Sequence, residues 1–178
     1  IFSDYYAPYK NNQELNSSDL DSFKKLWQEL LSKQAPMQNS IVLRDYHVEN
    51  MMYLEHEKSI NKLGLIDFQD ALIGSPLYDL VSILEDARID ISRDFALECV
   101  NYYAAKKKIN LEDALINYHI LGAQRNLRIL GIFARKYTRD KDNSYLQYIP
   151  RVLKYLEYDI SHPVLEPIKN WLLKTQII

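Results

Sequence analysis

IVLRDYHVENMMYLEHEKSINKLGLIDFQD, residues 41–70, is the stretch on which the reading of this chain turns. A short apolar, partly β-branched run, Ile41-Val42-Leu43, breaks abruptly into Arg44-Asp45-Tyr46-His47-Val48-Glu49-Asn50, a polar turn without glycine or proline. Apolar character returns in Met51-Met52-Tyr53-Leu54. A charged turn from Glu55 to Asn61 follows, and a second short strand, Leu63-Gly64-Leu65-Ile66, then delivers Asp67-Phe68-Gln69-Asp70. Antiparallel pairing of the two strands through the Glu55 to Asn61 turn sets their far ends side by side. Those ends carry Asp45 with Asn50 on one side and Asp67 on the other.

An amide oxygen and a carboxylate that converge on one point make a hard-oxygen site of the kind Mg²⁺ prefers. A second carboxylate nearby, free of the metal, can orient a hydroxyl and take its proton as the hydroxyl attacks a phosphoryl group. In isolation Asp45 reads as a turn or strand-end residue, and a lone Asp-x-x-x-x-Asn occurs by chance in many proteins. The specificity lies in the second half, Ile66-Asp67-Phe68, which arrives one short hairpin later. The whole arrangement matches the catalytic and metal-binding loops of protein-kinase-like enzymes.

The strings Leu43 to Asn50, Ile66 to Asp70 and Gly74-Ser75-Pro76-Leu77-Tyr78-Asp79-Leu80-Val81 resemble the aminoglycoside phosphotransferase and choline kinase-like family of small-molecule kinases. With Leu121-Gly122-Ala123-Gln124-Arg125-Asn126, they are most similar to its bacterial members that phosphorylate N-acetylmuramic acid or N-acetylglucosamine at the anomeric hydroxyl. The resemblance implies ATP and Mg²⁺ as cofactors, Asp45 as catalytic base or hydroxyl-positioning group, and Asn50 and Asp67 as the residues holding Mg²⁺. It also implies Arg44 and Asp79 as support for the catalytic loop, and His47 at a place that meets the transferred phosphate. A satisfied loop histidine is the alternative for His47. Asp79 alone reads as a first-turn helix carboxylate, which agrees with a supporting role. Gln69 and Asp70 are candidate substrate contacts. Leu43 stands where many relatives carry histidine, Arg44 restores the Arg-Asp step of protein kinases, and Gln69 occupies a position that holds glycine in protein kinases.

The 178 residues are one ordinary domain's length, and 47% hydrophobic with 26% charged residues describes a globular chain. A formal charge of −2 gives no electrostatic reason to expect nucleic acid or an anionic membrane. No run approaches the roughly 20 apolar residues of a membrane span, and no signal peptide is apparent. The cytoplasm is therefore the expected compartment. The single cysteine, Cys99, reads as a buried thiol, and no histidine has metal-ligand spacing with cysteine. His56, His119 and His162 are assigned no chemistry.

The expected fold is α+β and mostly α: a protein-kinase-like carboxy-terminal lobe, residues 1–178, helical, with a short β-hairpin carrying the catalytic and metal loops. Ser17-Ser18-Asp19 offers caps for a helix with apolar face Leu20, Phe23, Leu26 or Trp27, Leu30 and Leu31, stopped by Pro36. Tyr78-Asp79 opens another, and further helices are predicted over Arg93 to Lys107, Leu111 to Tyr137, Tyr145 to Tyr158 and Leu165 to Lys174. In the long one, Ile116, Ile120, Ala123, Leu127, Leu130 and Ala134 define a buried stripe. Beside it, Arg125 and Arg128 read either as members of a buried ion pair or as a clamp for a substrate carboxylate or phosphate. Glu85, Asp86, Asp90 and Asp94 read as a solvated face, or as the acidic cleft an aminoglycoside polycation needs.

Phosphoryl transfer in such folds also needs a loop over the nucleotide phosphates and a strand lysine paired with a helix glutamate. The forty residues before Ile41 contain no glycine, and a nucleotide-binding lobe takes on the order of 100 residues. That amino-terminal lobe is therefore expected to be absent from the chain and supplied in cis or in trans. Two readings follow. One is the catalytic lobe of an ATP-dependent sugar 1-kinase, with an aminoglycoside phosphotransferase as the alternative substrate class. The other is a truncated, inactive relative that acts at most as a binding module.

Overall fold

The computed structural model describes all residues, Ile1–Ile178. Phe2–Tyr6 winds as a π-helical turn directly into α1 (Ala7–Asn11), which ends at Asn12 in the left-handed region, φ 55°. Asparagine tolerates that conformation better than most residues. Helix α2 (Ser17–Ser32) follows. Its cap is Asn16, one residue before the expected serines: the Asn16 side-chain oxygen accepts from the Asp19 amide at 2.8 Å. Only Leu30 of the predicted face is fully buried, and Leu31 is exposed.

Four strands of three residues come next: β1 (Ser40–Val42), β2 (Met51–Tyr53), β3 (Leu63–Leu65) and β4 (Leu72–Gly74). The inner pair, β2 with β3, is the predicted antiparallel hairpin, with Met51 opposite Leu65. The outer pair, β1 with β4, was not expected and sets Val42 opposite Leu72. Nesting one antiparallel pair outside the other has a direct consequence. The segment from β1 to β2 and the segment from β3 to β4 both run between the same two ladders, so their residues must approach one another.

The remaining helices are α3 (Tyr78–Leu84), α4 (Arg93–Lys107), α5 (Leu111–Thr138), α6 (Ile149–Asp159) and α7 (Glu166–Lys174). The predicted helix from Tyr145 breaks into a 3₁₀ turn, Leu146–Tyr148, before α6 begins. Pro150 accounts for this, because it lacks an amide hydrogen and suits a helix's first turn rather than its interior. The content is mostly helical, as the sequence implies, with two small antiparallel sheets where one hairpin was expected.

The chain divides into two compact units, Ile1–Ala35 with Leu115–Ile178, and Pro36–Ala114. The first is a helical core. From the predicted α5 stripe, Ile120, Ala123, Leu127, Leu130 and Ala134 are buried, and Leu156, Leu165, Ile168 and Leu172 join them. Each such leucine or isoleucine contributes about 1.5–3 kcal/mol by leaving water. The Phe23 and Trp171 rings lie 4.5 Å apart, and the Trp171 indole donates to Ser22 Oγ at 3.0 Å. Two α5 glycines exist for close approach: a Cβ on Gly131 would sit 2.8 Å from the backbone of Ile1 and Phe2, and one on Gly122 would sit 2.6 Å from the Asp159 carboxylate. Asp159 is fully buried and bonded to His119 Nδ1 at 3.2 Å and Asn126 Nδ2 at 3.0 Å.

In the second unit Leu77, Val81, Leu84 and Val100 are buried, but much apolar surface is not: Ile41, Tyr53, Ile60 and Ile73 are 67–78% exposed. Two readings need correction here. Cys99 is half-buried. Glu85 and Asp86 are buried while Asp90 and Asp94 are exposed, so the four carboxylates form no common solvated face. No helix is long and apolar enough to cross a membrane.

Candidate active site

The polar turn after β1 has no glycine or proline to shape it, so its backbone is held from outside. The amides of Leu43 and Arg44 donate to the two carboxylate oxygens of Asp79, at 2.7 and 3.1 Å. Ser82 Oγ donates to the Arg44 carbonyl at 3.4 Å. The Val48 amide donates to Asp86 at 3.0 Å. Asp79 and Ser82, spaced i, i+3, share one side of α3, and Asp86 follows beyond the end of that helix, after the chain leaves helical geometry at Glu85. Burial pushes the Asp79 carboxyl above its ordinary range, and its two backbone hydrogen bonds pull the other way.

Inside the turn, the Asp45 amide donates to the Leu43 carbonyl at 2.9 Å, and the His47 amide to the Asp45 carbonyl at 3.1 Å. Val48–Asn50 forms a single 3₁₀ turn, closed by the Asn50 amide on the His47 carbonyl at 2.9 Å. The Asn50 side-chain amide donates to the Asp45 backbone carbonyl at 2.8 Å and reaches the Asp67 carboxylate at 3.4 Å. One residue thus links both loops. The Ile66 amide continues the link by donating to the Asn50 carbonyl at 3.1 Å.

Two positions in these loops hold left-handed backbone without being glycine: Arg44 at φ 69° and Asp67 at φ 59°. Such residues cost of order 1–3 kcal/mol and persist where surrounding bonds over-determine them, which is common at functional sites. At Arg44 the Asp79 and Ser82 bonds do this. At Asp67 the bonds run to the side chain: Asn50 Nδ2 to Oδ2, and Gln69 Nε2 to Oδ1 at 2.5 Å.

The sequence-predicted residues divide clearly. Asp45, His47, Asn50, Asp67 and Gln69 come together, with Arg44 and Asp79 behind the loop. Asp70 is exposed in the turn closed by the Ala71 amide on the Phe68 carbonyl. Arg125 and Arg128 belong to the other compact unit, Arg125 buried and Arg128 half-buried beside Phe23 and Trp27 around a cavity of about 290 Å³. Sequence reasoning missed Asp86 and its partner. Arg88 donates to Asp86 from its backbone and its guanidinium, each at 3.1 Å, and pairs through Nε with Glu49 at 2.7 Å. No periodic signal marked Asp86, because it lies beyond the end of α3.

His47 lies against this network, 3.5 Å from the Asn50 amide, and its Nδ1 is buried without a hydrogen-bond partner. Burial lowers its basicity, and the nearby Arg88 charge adds to that, against Asp86, Asp45 and Glu49. The donor set at the loop junction suits a hard divalent cation. Asp67 offers an exposed carboxylate, and the Asn50 amide nitrogen is spent on Asp45, which leaves its oxygen free to face a cation. Two protein ligands are what Mg²⁺ uses when waters and phosphates complete its shell.

The model of the phosphotransferase enzyme family matches residues 2–113. That is more than half of the chain. The chain belongs to this family. Three N-acetylmuramate/N-acetylglucosamine kinases are similar over most of it. The protein of Caulobacter vibrioides is 34% identical over 93% of this chain and 46% of its own length. That of Neisseria meningitidis is 33% identical over 88% of this chain and 47% of its own length. That of Pseudomonas aeruginosa is 31% identical over 90% and 48%. The family member described here thus spans about half the length of the curated relatives it matches.

Proposed function

We propose that this chain carries the catalytic loops of an ATP-dependent small-molecule kinase that phosphorylates an amino sugar, N-acetylmuramic acid or N-acetylglucosamine, at its anomeric hydroxyl. The observation that carries the reading is the Asn50 amide joining the Asp45 backbone to the Asp67 carboxylate. It ties together the two loops that carry the candidate residues, which supports this reading. The names of the relatives supply the substrate class.

In this reading Asp45, exposed and 5 residues before Asn50, accepts the proton of the attacking sugar hydroxyl and holds that hydroxyl in line. Such base catalysis contributes about 10²–10⁴ in rate. Asn50 and Asp67 would hold Mg²⁺, which supplies charge neutralisation for the phosphates of ATP. His47, whose pKa burial and Arg88 lower, presents a hydrogen-bonding ring to the transferred phosphate. Arg44 and Asp79 fix the loop, and Gln69 orients Asp67 while Asp70 stands at the substrate side. Arg125 and Arg128, which belong to the other compact unit, take no part in this reading.

The exposed apolar residues of the inner hairpin, among them Met52, Tyr53 and Ile60, are the surface on which we place a nucleotide-binding unit, supplied in cis or in trans. An isolated 178-residue chain is then expected to show no measurable ATP turnover. An aminoglycoside acceptor is the weaker reading, because the burial of Glu85 and Asp86 removes half of the acidic surface a polycation requires.

The test measures phosphate transfer from γ-labelled ATP by this chain together with its nucleotide-binding unit, whether the two share one polypeptide or are combined from two. N-acetylmuramic acid, N-acetylglucosamine and kanamycin are offered in parallel, with the product identified by ³¹P NMR. Anomeric sugar phosphate is expected. Label in the aminoglycoside alone, or in none of the three, rejects the assignment.

A further inference from the structure

Asp79 is the loop support that the sequence resemblance implies, and it accounts for only the first half of the loop. Its two bonds end at Arg44. Asn50, which joins the two loops, lies beyond the 3₁₀ turn Val48–Asn50, and that turn has no side-chain cap from its own N-terminal residue, His47. The first amides of such a turn lack partners within it. The Val48 amide finds its partner 38 residues along the chain, in the Asp86 carboxylate at 3.0 Å.

Asp86 is 0% exposed. A buried carboxylate of this kind is tolerable only when neutralised and bonded. Oδ2 takes the Val48 amide, and Oδ1 takes the backbone and guanidinium of Arg88 at 3.1 Å each. Arg88 in turn clasps Glu49 inside the same 3₁₀ turn at 2.7 Å. Both ends of the Asp86–Arg88 unit therefore grip one turn, by a main-chain and a side-chain contact on adjacent residues. A carboxylate needed only for a helix end would not require the second grip.

We propose that Asp86, neutralised by Arg88, is a positioning residue for phosphoryl transfer that sets the Val48–Asn50 turn and with it the placement of Asn50 between Asp45 and Asp67. The assignment rests on the kinase reading above. Its effect belongs in turnover and not in substrate affinity, because neither residue forms part of the exposed loop surface. A misplacement of about 1 Å in a reacting constellation costs on the order of 10²-fold.

The experiment compares Asp86→Ala, Asp86→Asn and Arg88→Ala in the full-length polypeptide, with kinetics normalised to folded protein by circular dichroism. Asp86→Ala is expected to lower kcat roughly 10- to 100-fold with KM for sugar and ATP little changed. Asp86→Asn retains an acceptor for the Val48 amide and is expected to recover much of the loss. Combining Asp86→Ala with Asp45→Asn is expected to cost little beyond Asp45→Asn alone, because residues that act as a unit are not additive. Amide hydrogen exchange on the same proteins reads the brace directly. Exchange at Val48 and Asn50 should accelerate in Asp86→Ala while α4 stays protected. A kcat per folded molecule equal to wild type, or unchanged exchange at Val48, overturns the proposal. A wild-type polypeptide that transfers no phosphate sinks the kinase reading instead, and exchange at Val48 still decides whether Asp86 holds the turn. Should Asp86→Ala fail to fold, Asp86→Asn and Arg88→Ala carry the same measurements.

Discussion

The two compact units are stabilised by opposite means. In the unit formed by the chain's two ends, apolar side chains fill the interior, and a few polar groups, Asp159 with His119 and Asn126, are buried within it. In the unit from Pro36 to Ala114, strands are three residues long and several large apolar side chains face solvent. There the order of the loops depends on carboxylates that accept backbone amides: Asp79 for Leu43 and Arg44, Asp86 for Val48. The contrast teaches where function can sit. A core held by area tolerates no exposed chemistry, whereas loops fixed by hydrogen bonds from behind can leave Asp45 and Asp67 exposed at their front.

The largest effect is expected at the residue proposed as catalytic base. Asp45→Asn in the full-length polypeptide should reduce transfer by roughly 10²–10⁴-fold without moving the melting temperature, because the residue is exposed and its loop is held by backbone bonds. A fall in Tm together with activity would place Asp45 in the folding of the unit and blur the distinction. The mirror experiment is in the helical unit. Asp159→Ala removes the acceptor of two buried bonds and should cost roughly 3–5 kcal/mol of stability, read by denaturant unfolding of the chain. A loss under 1 kcal/mol would mean that the polar cluster is incidental to that core.

How much of this was legible in the sequence follows the same division. The β2–β3 hairpin and its two loops could be read because Asp45, Asn50 and Asp67 sit at spacings that chemistry demands. The α5 stripe could be read because its period persists over several turns. Strand β4 could not: Leu72-Ile73-Gly74 is too short to carry an alternation, and its partner Ser40–Val42 lies 32 residues away. Asp86 was hidden, because it lies two residues past the end of α3, where no helical period marks the side it takes. Taken with Glu85, Asp90 and Asp94 as a charge cluster, it looked solvated. Charge composition says nothing about direction, and beyond a helix end no period separates a bracing carboxylate from a surface one.

A smaller effect, gated by pH, separates the units further. His162 Nδ1 accepts the Val164 amide at 3.3 Å, and its ring stacks on His119 with centroids 4.8 Å apart. Burial first, and then the neighbouring His119, hold its pKa below the usual imidazole value. The unfolded chain binds this proton near pH 6.5 and the folded chain only at lower pH. Between those two points the unfolded state carries more protons, so the contribution to stability is complete above about pH 6.5 and is lost as pH falls through the folded pKa. Thermal unfolding of wild type and His162→Asn between pH 8 and 5 should converge on acidification. Parallel curves would remove His162 from the account.

The smallest effect sharpens the contrast most. Ile60 is 78% exposed, whereas Leu156 is fully buried. If area alone set the value of an apolar residue, Ile60→Thr would cost almost nothing to the folded chain, within about 0.5 kcal/mol, while Leu156→Ala would cost about 2–5 kcal/mol. Exposed apolar side chains of this kind are available to associate with another surface. Sedimentation of the 178-residue chain tests this without any assay of activity. Wild type should self-associate at high concentration, and Ile60→Thr with Ile41→Thr should reduce that association at unchanged Tm. A drop in Tm of several degrees would instead show that these side chains belong to a core, and the two units would be held by the same means after all.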